Sequence, residues 1–165
     1  MTKIERQVFI LDLKFSFSWI GLIVFALPML INIAYVLFPP ADQPAETAPI
    51  TRWVEWMEKI SRIAYLAAIV LLASNRPVQS CSAWMIIAAL FLILYYAVWL
   101  RYFIGGRKTA LLGEPFCFVP MPLAIFPVIY YLCAALWLHN LPAAALMIIF
   151  GAAHLTVSLQ SFRKS

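Results

Sequence analysis

The chain has 165 residues, of which 65% are hydrophobic and only 12% carry a charge, and its mean hydropathy is +0.92. Soluble globular domains are about 45–50% apolar and about 25% charged, so this composition excludes an ordinary soluble domain and predicts an integral membrane protein. The net charge of +5 does not indicate a nucleic-acid partner, because the basic residues lie at the ends of apolar segments, where they would meet lipid phosphates.

Five apolar segments follow one another along the chain, at about 15–38, 52–74, 82–104, 116–138 and 141–160. A helix needs about 20 residues to cross a hydrocarbon core of about 30 Å, so each segment is long enough to span. Because that core holds no water to satisfy the backbone, the segments should be helical. The sequence predicts an all-α fold: one polytopic membrane domain over residues 1–165, a bundle of five transmembrane helices with no soluble domain.

The segment at 52–74 is ambiguous, because its first half is charged. The charged residues there are Arg52, Glu55, Glu58, Lys59 and Arg62, and only 63–73 is continuously apolar. A helix with one charged face can also lie along the membrane surface. We favour five spans with the termini on opposite faces, and the alternative is four spans plus one interfacial helix.

The distribution of basic residues bears on orientation. With five spans, one face would carry Arg52, Arg101, Arg107, Lys108, Arg163 and Lys164, and the other would carry Lys3, Arg6, Lys14 and Arg76. Cytoplasmic loops are enriched in Lys and Arg, so this count weakly favours a cytoplasmic C-terminus in a multi-pass protein of the cell membrane.

Tryptophans mark the ends of the predicted spans. All six lie within about one turn of a span end: Trp19, Trp53, Trp56, Trp84, Trp99 and Trp137. This pattern is typical of an aromatic belt, in which the indole ring lies at the membrane interface and its N–H faces water.

Few polar side chains fall within the predicted spans, and these are the candidate ligand-binding residues: Asn32, Glu58, Arg62, Tyr95, Tyr96 and His154. Polar groups are costly to bury in a bilayer, so such residues are either functional or held by a neighbour. Because alternate spans run in opposite directions, all six fall in the same half of the bilayer. We therefore predict that they line a polar half-cavity.

Each candidate also has a purely structural interpretation. Glu58 and Arg62 are four residues apart, the spacing at which an acid and a base pair on one helix face, so they are either a self-neutralising pair or a ligand contact. His154 has no second His, Cys or carboxylate at helical spacing, so no metal site is predicted. It is either a neutral imidazole satisfied by Asn32, a tyrosine or a backbone carbonyl, or a group that relays protons or contacts a ligand.

Three functions remain open, and no motif for a cofactor or for catalysis selects among them. The favoured one is binding or transport of a small hydrophobic or amphipathic molecule in the half-cavity. The second is an accessory or assembly subunit of another membrane protein or a homo-oligomer, held through the small residues Ala144, Ala145, Gly151, Ala152 and Ala153. The least favoured is an intramembrane enzyme with Glu58 and His154 as acid and base, so no catalytic residue is assigned.

Overall fold

The computed structural model describes residues 12–42 and 50–162. The basic residues Lys3, Arg6, Arg163 and Lys164, used in the orientation argument, lie outside the described residues. The fold is mostly helical, with 71% of the described residues in six helices. The helices are α1 (Trp19–Leu37), α2 (Arg52–Leu71), α3 (Ala83–Ile104), α4 (Ala110–Gly113), α5 (Pro122–Trp137) and α6 (Leu141–Phe162), and two short strands are β1 (Leu13–Phe15) and β2 (Leu72–Ser74).

Within residues 12–42 and 50–162, three helices are long and apolar enough to cross a membrane: Trp19–Leu37 in α1, Ala83–Ile104 in α3 and Leu141–Ser161 in α6. Helix α5 is apolar but has only 16 residues, and α2 has 20 residues with a charged first half. The prediction of a helical membrane bundle is confirmed in this coarser form.

The helical structure is interrupted where α1 begins and α2 ends. There β1 and β2 pair antiparallel, with Leu13 opposite Ser74. The amides of Ser16 and Ser18 then donate to the carbonyls of Leu71 and Val70, at 3.0 and 2.7 Å. The last carbonyls of a helix need donors from outside it, and the extended chain before α1 supplies them. For this reason α1 and α2 are each shorter than the predicted spans 15–38 and 52–74.

The fourth predicted span, 116–138, has the irregular start that Pro120 and Pro122 predict, with the helix expected from about Met121. Phe116 and Val119 exchange two backbone hydrogen bonds around a turn at Cys117 and Phe118, whose φ angles are +50° and +63°. Helix α5 starts only at Pro122. Proline has no amide to donate and fits the first helical turn, so the helix begins at this residue rather than passing through it.

Helices α2 and α6 lie antiparallel along most of the length of α2. At one end the amide of Thr51 donates to Gln160 Oε1 at 3.2 Å. Near the middle Glu58 contacts His154. At the other end Asn140, which precedes α6, donates to the carbonyl of Ala68 at 2.8 Å.

Asn140 is the side chain that closes this end of the bundle, and it is only 1% exposed. Its amide nitrogen donates to the carbonyls of Ala68 and Leu72, and its Oδ1 accepts from the amide of Ala143 at 3.0 Å. The residue therefore caps α6 and satisfies the end of α2 at the same time.

The segments after α1 and after α3 meet at the opposite end. The amide of Ala41 donates to the carbonyl of Arg107 at 3.0 Å. The hydroxyl and the amide of Thr109 donate to the Asp42 carboxylate at 2.6 and 2.9 Å, and these hydrogen bonds hold the pKa of Asp42 below its ordinary value. Both segments therefore lie at the same end of the bundle.

Gly21 lets the backbones of α1 and α2 approach closely. A Cβ atom at this position would lie 2.0 Å from the carbonyl oxygen of Ile69. At Gly151, in α6, an added Cβ would lie 2.7 Å from Cγ1 of Val128, a side-chain atom. A side chain can move aside more easily than a paired helix backbone, so the two glycines should differ in their tolerance of a methyl group.

We expect Gly21→Ala to destabilise the protein by about 1–3 kcal/mol, the usual cost of overpacking. Gly151→Ala should be close to neutral, because alanine is favoured over glycine in a helix by about 1 kcal/mol, which offsets a small shift of Val128. Thermal unfolding of both variants in the same detergent measures the difference. Equal losses in the two variants would contradict the close contact at Gly21.

Candidate ligand-binding cavity

A cavity of about 280 Å³ lies between the five long helices. Four of the six predicted site residues line it: Asn32, Arg62, Tyr95 and His154. Its apolar wall includes Phe25, Met29, Leu123, Met147 and Phe150. Glu58 and Tyr96 are not part of the lining, although both contact residues near it.

Glu58 lies behind the cavity wall and holds two of the residues that form it. It is 7% exposed, and its Oε1 accepts from Arg62 Nη2 and from His154 Nδ1, the latter at 2.9 Å. Because an ionised carboxylate only accepts, this contact places a proton on Nδ1 of His154. His154 was expected to be satisfied by Asn32, a tyrosine or a backbone carbonyl, and its partner is instead a carboxylate.

Phe150 joins the two basic groups on the cavity wall. The ring of His154 stacks on it with centroids 5.1 Å apart and planes 14° apart. The guanidinium carbon of Arg62 lies 5.5 Å from the centroid of the same ring, within the range of a cation–π contact. Arg62 and His154 are therefore fixed by a shared carboxylate oxygen and by a shared aromatic ring.

Asn32 and Tyr95 form a second polar contact at the cavity. The Tyr95 hydroxyl donates to Asn32 Oδ1 at 2.8 Å, which links α1 to α3. The amide nitrogen of Asn32 has a weak contact with the sulfur of Met29 at 3.9 Å. These two residues are satisfied chiefly by each other rather than by His154.

Tyr96 belongs to a set of tyrosines that bind the backbone of α1. Three hydroxyls donate to its carbonyls: Tyr130 to Val24 at 2.8 Å, Tyr131 to Phe25 at 2.9 Å and Tyr96 to Leu27 at 2.6 Å. Pro28 lacks an amide and so leaves the carbonyl of Val24 without its helical donor. The hydroxyl of Tyr130 supplies the missing hydrogen bond, and the role of Tyr96 is to hold α1 in place.

Trp99 corrects the prediction of an interfacial belt at one position. Trp19, Trp53, Trp56 and Trp84 are exposed as a belt requires, but Trp99 is 5% exposed and lines the cavity. It packs against Tyr35, Tyr95 and Tyr102. The sequence places Trp99 near the end of its helix, as the structure does. It does not show that Trp99 lies on the side of the helix that faces the bundle.

A smaller cavity of about 150 Å³ shares Leu123 and His154 with the first. Its other lining residues are Leu112, Met121, Ala124 and Ser158. The two cavities therefore meet at the side chains of Leu123 and His154, with the smaller one toward the end of the bundle where α4 lies.

Several residues of the site were missed from the sequence. Tyr65, Trp99 and Tyr131 line the cavity, but tyrosine and tryptophan in apolar segments are common in membrane proteins and gave no distinguishing signal. Among residues 12–42 and 50–162, no group of three or more His, Cys, Asp or Glu side chains could hold a metal ion.

No protein-family model, curated protein or solved structure matches this chain. Its function must therefore be argued from the geometry of the cavity.

The shared oxygen of Glu58 predicts that Glu58 and Arg62 act together in stability. Glu58→Gln should cost about 2 kcal/mol in the wild-type background, since hydrogen bonds to charged groups contribute about 1.5–3 kcal/mol. The cost should be smaller when Arg62 is already Gln, because less charge is then left unpaired. A double-mutant cycle of thermal stability in detergent measures the coupling.

The pair Glu55 and Lys59 is the matched control, because it has the same spacing on the same helix. Its atoms lie 2.6 Å apart, but the side chains are 41% and 55% exposed, whereas that of Glu58 is 9% exposed. Glu55→Gln should change stability by no more than about 0.5 kcal/mol, as for most exposed pairs. Additive losses at Glu58 and Arg62 would show that these two residues are independent.

Proposed function

We propose that this protein binds a small hydrophobic or amphipathic molecule in the cavity between its five long helices. The observation that carries the proposal is the composition of the cavity: an apolar and aromatic wall with a few polar groups, Asn32, Arg62, Tyr95 and His154, gathered in it. Small-molecule sites in proteins have this composition, with many apolar contacts and few polar ones that set orientation.

We further propose that all five long helices cross the membrane. The contacts of α2 with α6 support this, because they run from Thr51–Gln160 to Ala68–Asn140. A helix lying on the membrane surface would cross a spanning helix at one level only. The meeting of Asp42 with Thr109 also supports five spans, since a four-span protein would place these residues on opposite faces.

The accessory-subunit function is less well supported than ligand binding. It depended on small residues of the last helix being free to contact another protein. Ala144, Gly151 and Ala153 are instead buried within the bundle of this chain. Ala145 and Ala152 are exposed beside Ile148 and Ile149, but lipid can cover such an apolar face as well as a partner can.

The enzyme hypothesis has one feature in its favour, the contact between Glu58 and His154. Within the described part of the chain, however, no hydroxyl or thiol is hydrogen-bonded to His154, and Glu58 does not line the cavity. A nucleophile positioned by a base is the usual sign of covalent catalysis. We therefore propose binding rather than catalysis.

Single-cysteine labelling tests the five-span topology. Three variants each keep one reporter: native Cys81, Ala41→Cys or Lys108→Cys, with the other cysteines replaced by serine. With five spans, an impermeant reagent added to intact cells should label either positions 41 and 108 or Cys81, and the remaining set should react only after the membrane is permeabilised. Labelling of positions 41 and 81 from one side would instead support four spans. If the C-terminus is cytoplasmic, as the basic residues suggest, Cys81 should lie on the extracytoplasmic side.

Retention of a small molecule tests the binding function. The protein should co-purify in mild detergent with a small molecule that mass spectrometry detects after solvent extraction. Leu123→Trp places an indole ring in the cavity, where it should displace part of the ligand. Retention should fall about tenfold, which corresponds to a loss of about 1.4 kcal/mol of binding free energy. Leu100→Trp is the matched control, since Leu100 is 58% exposed on α3.

If Leu123→Trp retains as much of the molecule as wild type, the molecule is bound elsewhere and the cavity is not the site. If Leu100→Trp loses it equally, the effect belongs to the added tryptophan rather than to the filled cavity.

A further inference from the structure

The cavity wall offers hydrogen-bond donors that have no acceptor, whereas its tyrosine hydroxyls have no proton left to donate. Its three tyrosine hydroxyls have already given their protons to protein oxygens: Tyr65 to the carbonyl of Tyr131 at 3.0 Å, Tyr95 to Asn32 Oδ1 at 2.8 Å and Tyr131 to the carbonyl of Phe25 at 2.9 Å. A hydroxyl has only one proton to donate. These side chains therefore cannot donate to a ligand without releasing a partner in the bundle.

Three other residues of the lining keep donors free. The indole nitrogen of Trp99 is buried, and its one polar neighbour, the Tyr95 hydroxyl, lies outside normal hydrogen-bond geometry. The guanidinium of Arg62 is bound to Glu58 through Nη2, and the described contacts leave its Nε and Nη1 available. The amide nitrogen of Asn32 contacts only the sulfur of Met29, a weak acceptor.

Glu58 is the carboxylate that contacts Arg62, but it does not accept from these free donors inside the cavity. Glu58 does not line the cavity, and its Oε1 already accepts from both Arg62 and His154. Arg62 and His154 are thus two basic groups set against one carboxylate. A buried donor without an acceptor costs free energy, so a ligand that brings acceptor oxygens would complete the site.

We infer that the molecule bound in this cavity is a single-chain amphiphile with an anionic, oxygen-bearing head group, a carboxylate or a phosphate ester. This rests on the proposed binding function and names the class of ligand. The head group accepts from Arg62 and Trp99, and the chain lies along Phe25, Met29 and Met147. A cavity of about 280 Å³ holds the head group and a short chain, or the first part of a longer one.

Arg62 sets the sign of the charge that the site prefers. A guanidinium presents its donors in a planar fork that matches the oxygens of a carboxylate or a phosphate. The side chain is 54% exposed, so it can adjust to a head group while Glu58 retains one of its nitrogens. A neutral alcohol of the same chain offers one oxygen and no charge, and so should bind less tightly.

Three chain-matched probes test this inference: a conjugated polyene fatty acid, the corresponding alcohol and the phosphate monoester of that alcohol. The full chain is reconstituted in phosphatidylcholine nanodiscs, and binding is followed by energy transfer from tryptophan to the polyene, relative to protein-free nanodiscs. We expect at least one of the two anions to bind wild type about tenfold more tightly than the alcohol, as a charge-assisted hydrogen bond predicts.

Variants at Arg62 assign the preference to this residue. Arg62→Gln should bring the anions to within about threefold of the alcohol, because the charge-assisted contact is lost and the apolar contacts remain. Arg62→Lys should keep most of the preference. Arg52→Gln, which removes the same charge from an exposed position on the same helix, should keep all of it. Trp99→Phe keeps an aromatic ring and removes the indole N–H donor, so it should weaken binding of the anions about threefold.

The outcomes separate the two proposals. Preference for the fatty acid alone identifies a carboxylate ligand, and preference for the phosphate ester alone identifies a phosphate ligand. Equal binding of all three probes to wild type, with loss in Leu123→Trp, retains the binding function and overturns the anionic head group. Anion affinity unchanged in both Arg62→Gln and Trp99→Phe also overturns it. Binding of no probe above the level of Leu123→Trp contradicts both proposals.

Discussion

The structure depends on how the backbone carbonyls of α1 are satisfied where Pro28 interrupts its hydrogen bonds. An unpaired carbonyl in an apolar medium costs several kcal/mol, and no water is present in a bilayer core to replace the lost donor. The hydroxyl of Tyr130 supplies it at Val24, and two further tyrosines bind the neighbouring turn. Since α1 makes its close contact with α2 mainly near Gly21, these hydroxyls attach the rest of α1 to the bundle.

This use of tyrosine also shapes the chemistry of the cavity. A phenol that donates to a carbonyl has only its oxygen lone pairs left for other partners. An aromatic wall rich in such hydroxyls therefore has few free O–H donors. Donors must then come from groups that the backbone does not need, and the lining provides Arg62, Trp99 and the amide of Asn32. The requirement that holds α1 in place thus also decides which lining groups keep a free donor.

The sequence predicted the helices better than their ends. Apolar length located all five long helices, and three of those described are long and apolar enough to cross a membrane. The ends differed by as many as four residues, at Trp19, since hydropathy does not show that the chain forms a strand at Leu13 or at Leu72. Polarity likewise located Asn32, Arg62, Tyr95 and His154, which line one cavity. Trp99 and Asn140 could not be interpreted from the sequence, because their roles depend on which neighbour each one faces.

The charged half of α2 shows how such a helix can pack in an apolar bundle. Its charges divide by exposure: Glu55 and Lys59 pair at the surface, whereas the Glu58 side chain is 9% exposed and is bound from both α2 and α6. A buried carboxylate is tolerated when its partners donate well, and a partner left alone is the costly state. Glu58 therefore serves stability and, by keeping Arg62 and His154 on the wall, preorganises the donors of the cavity. A substitution at Glu58 alters both roles, and Arg62→Gln also removes a donor from Glu58, whereas Arg62→Lys keeps a positive charge beside the carboxylate and changes only the planar fork on the cavity wall.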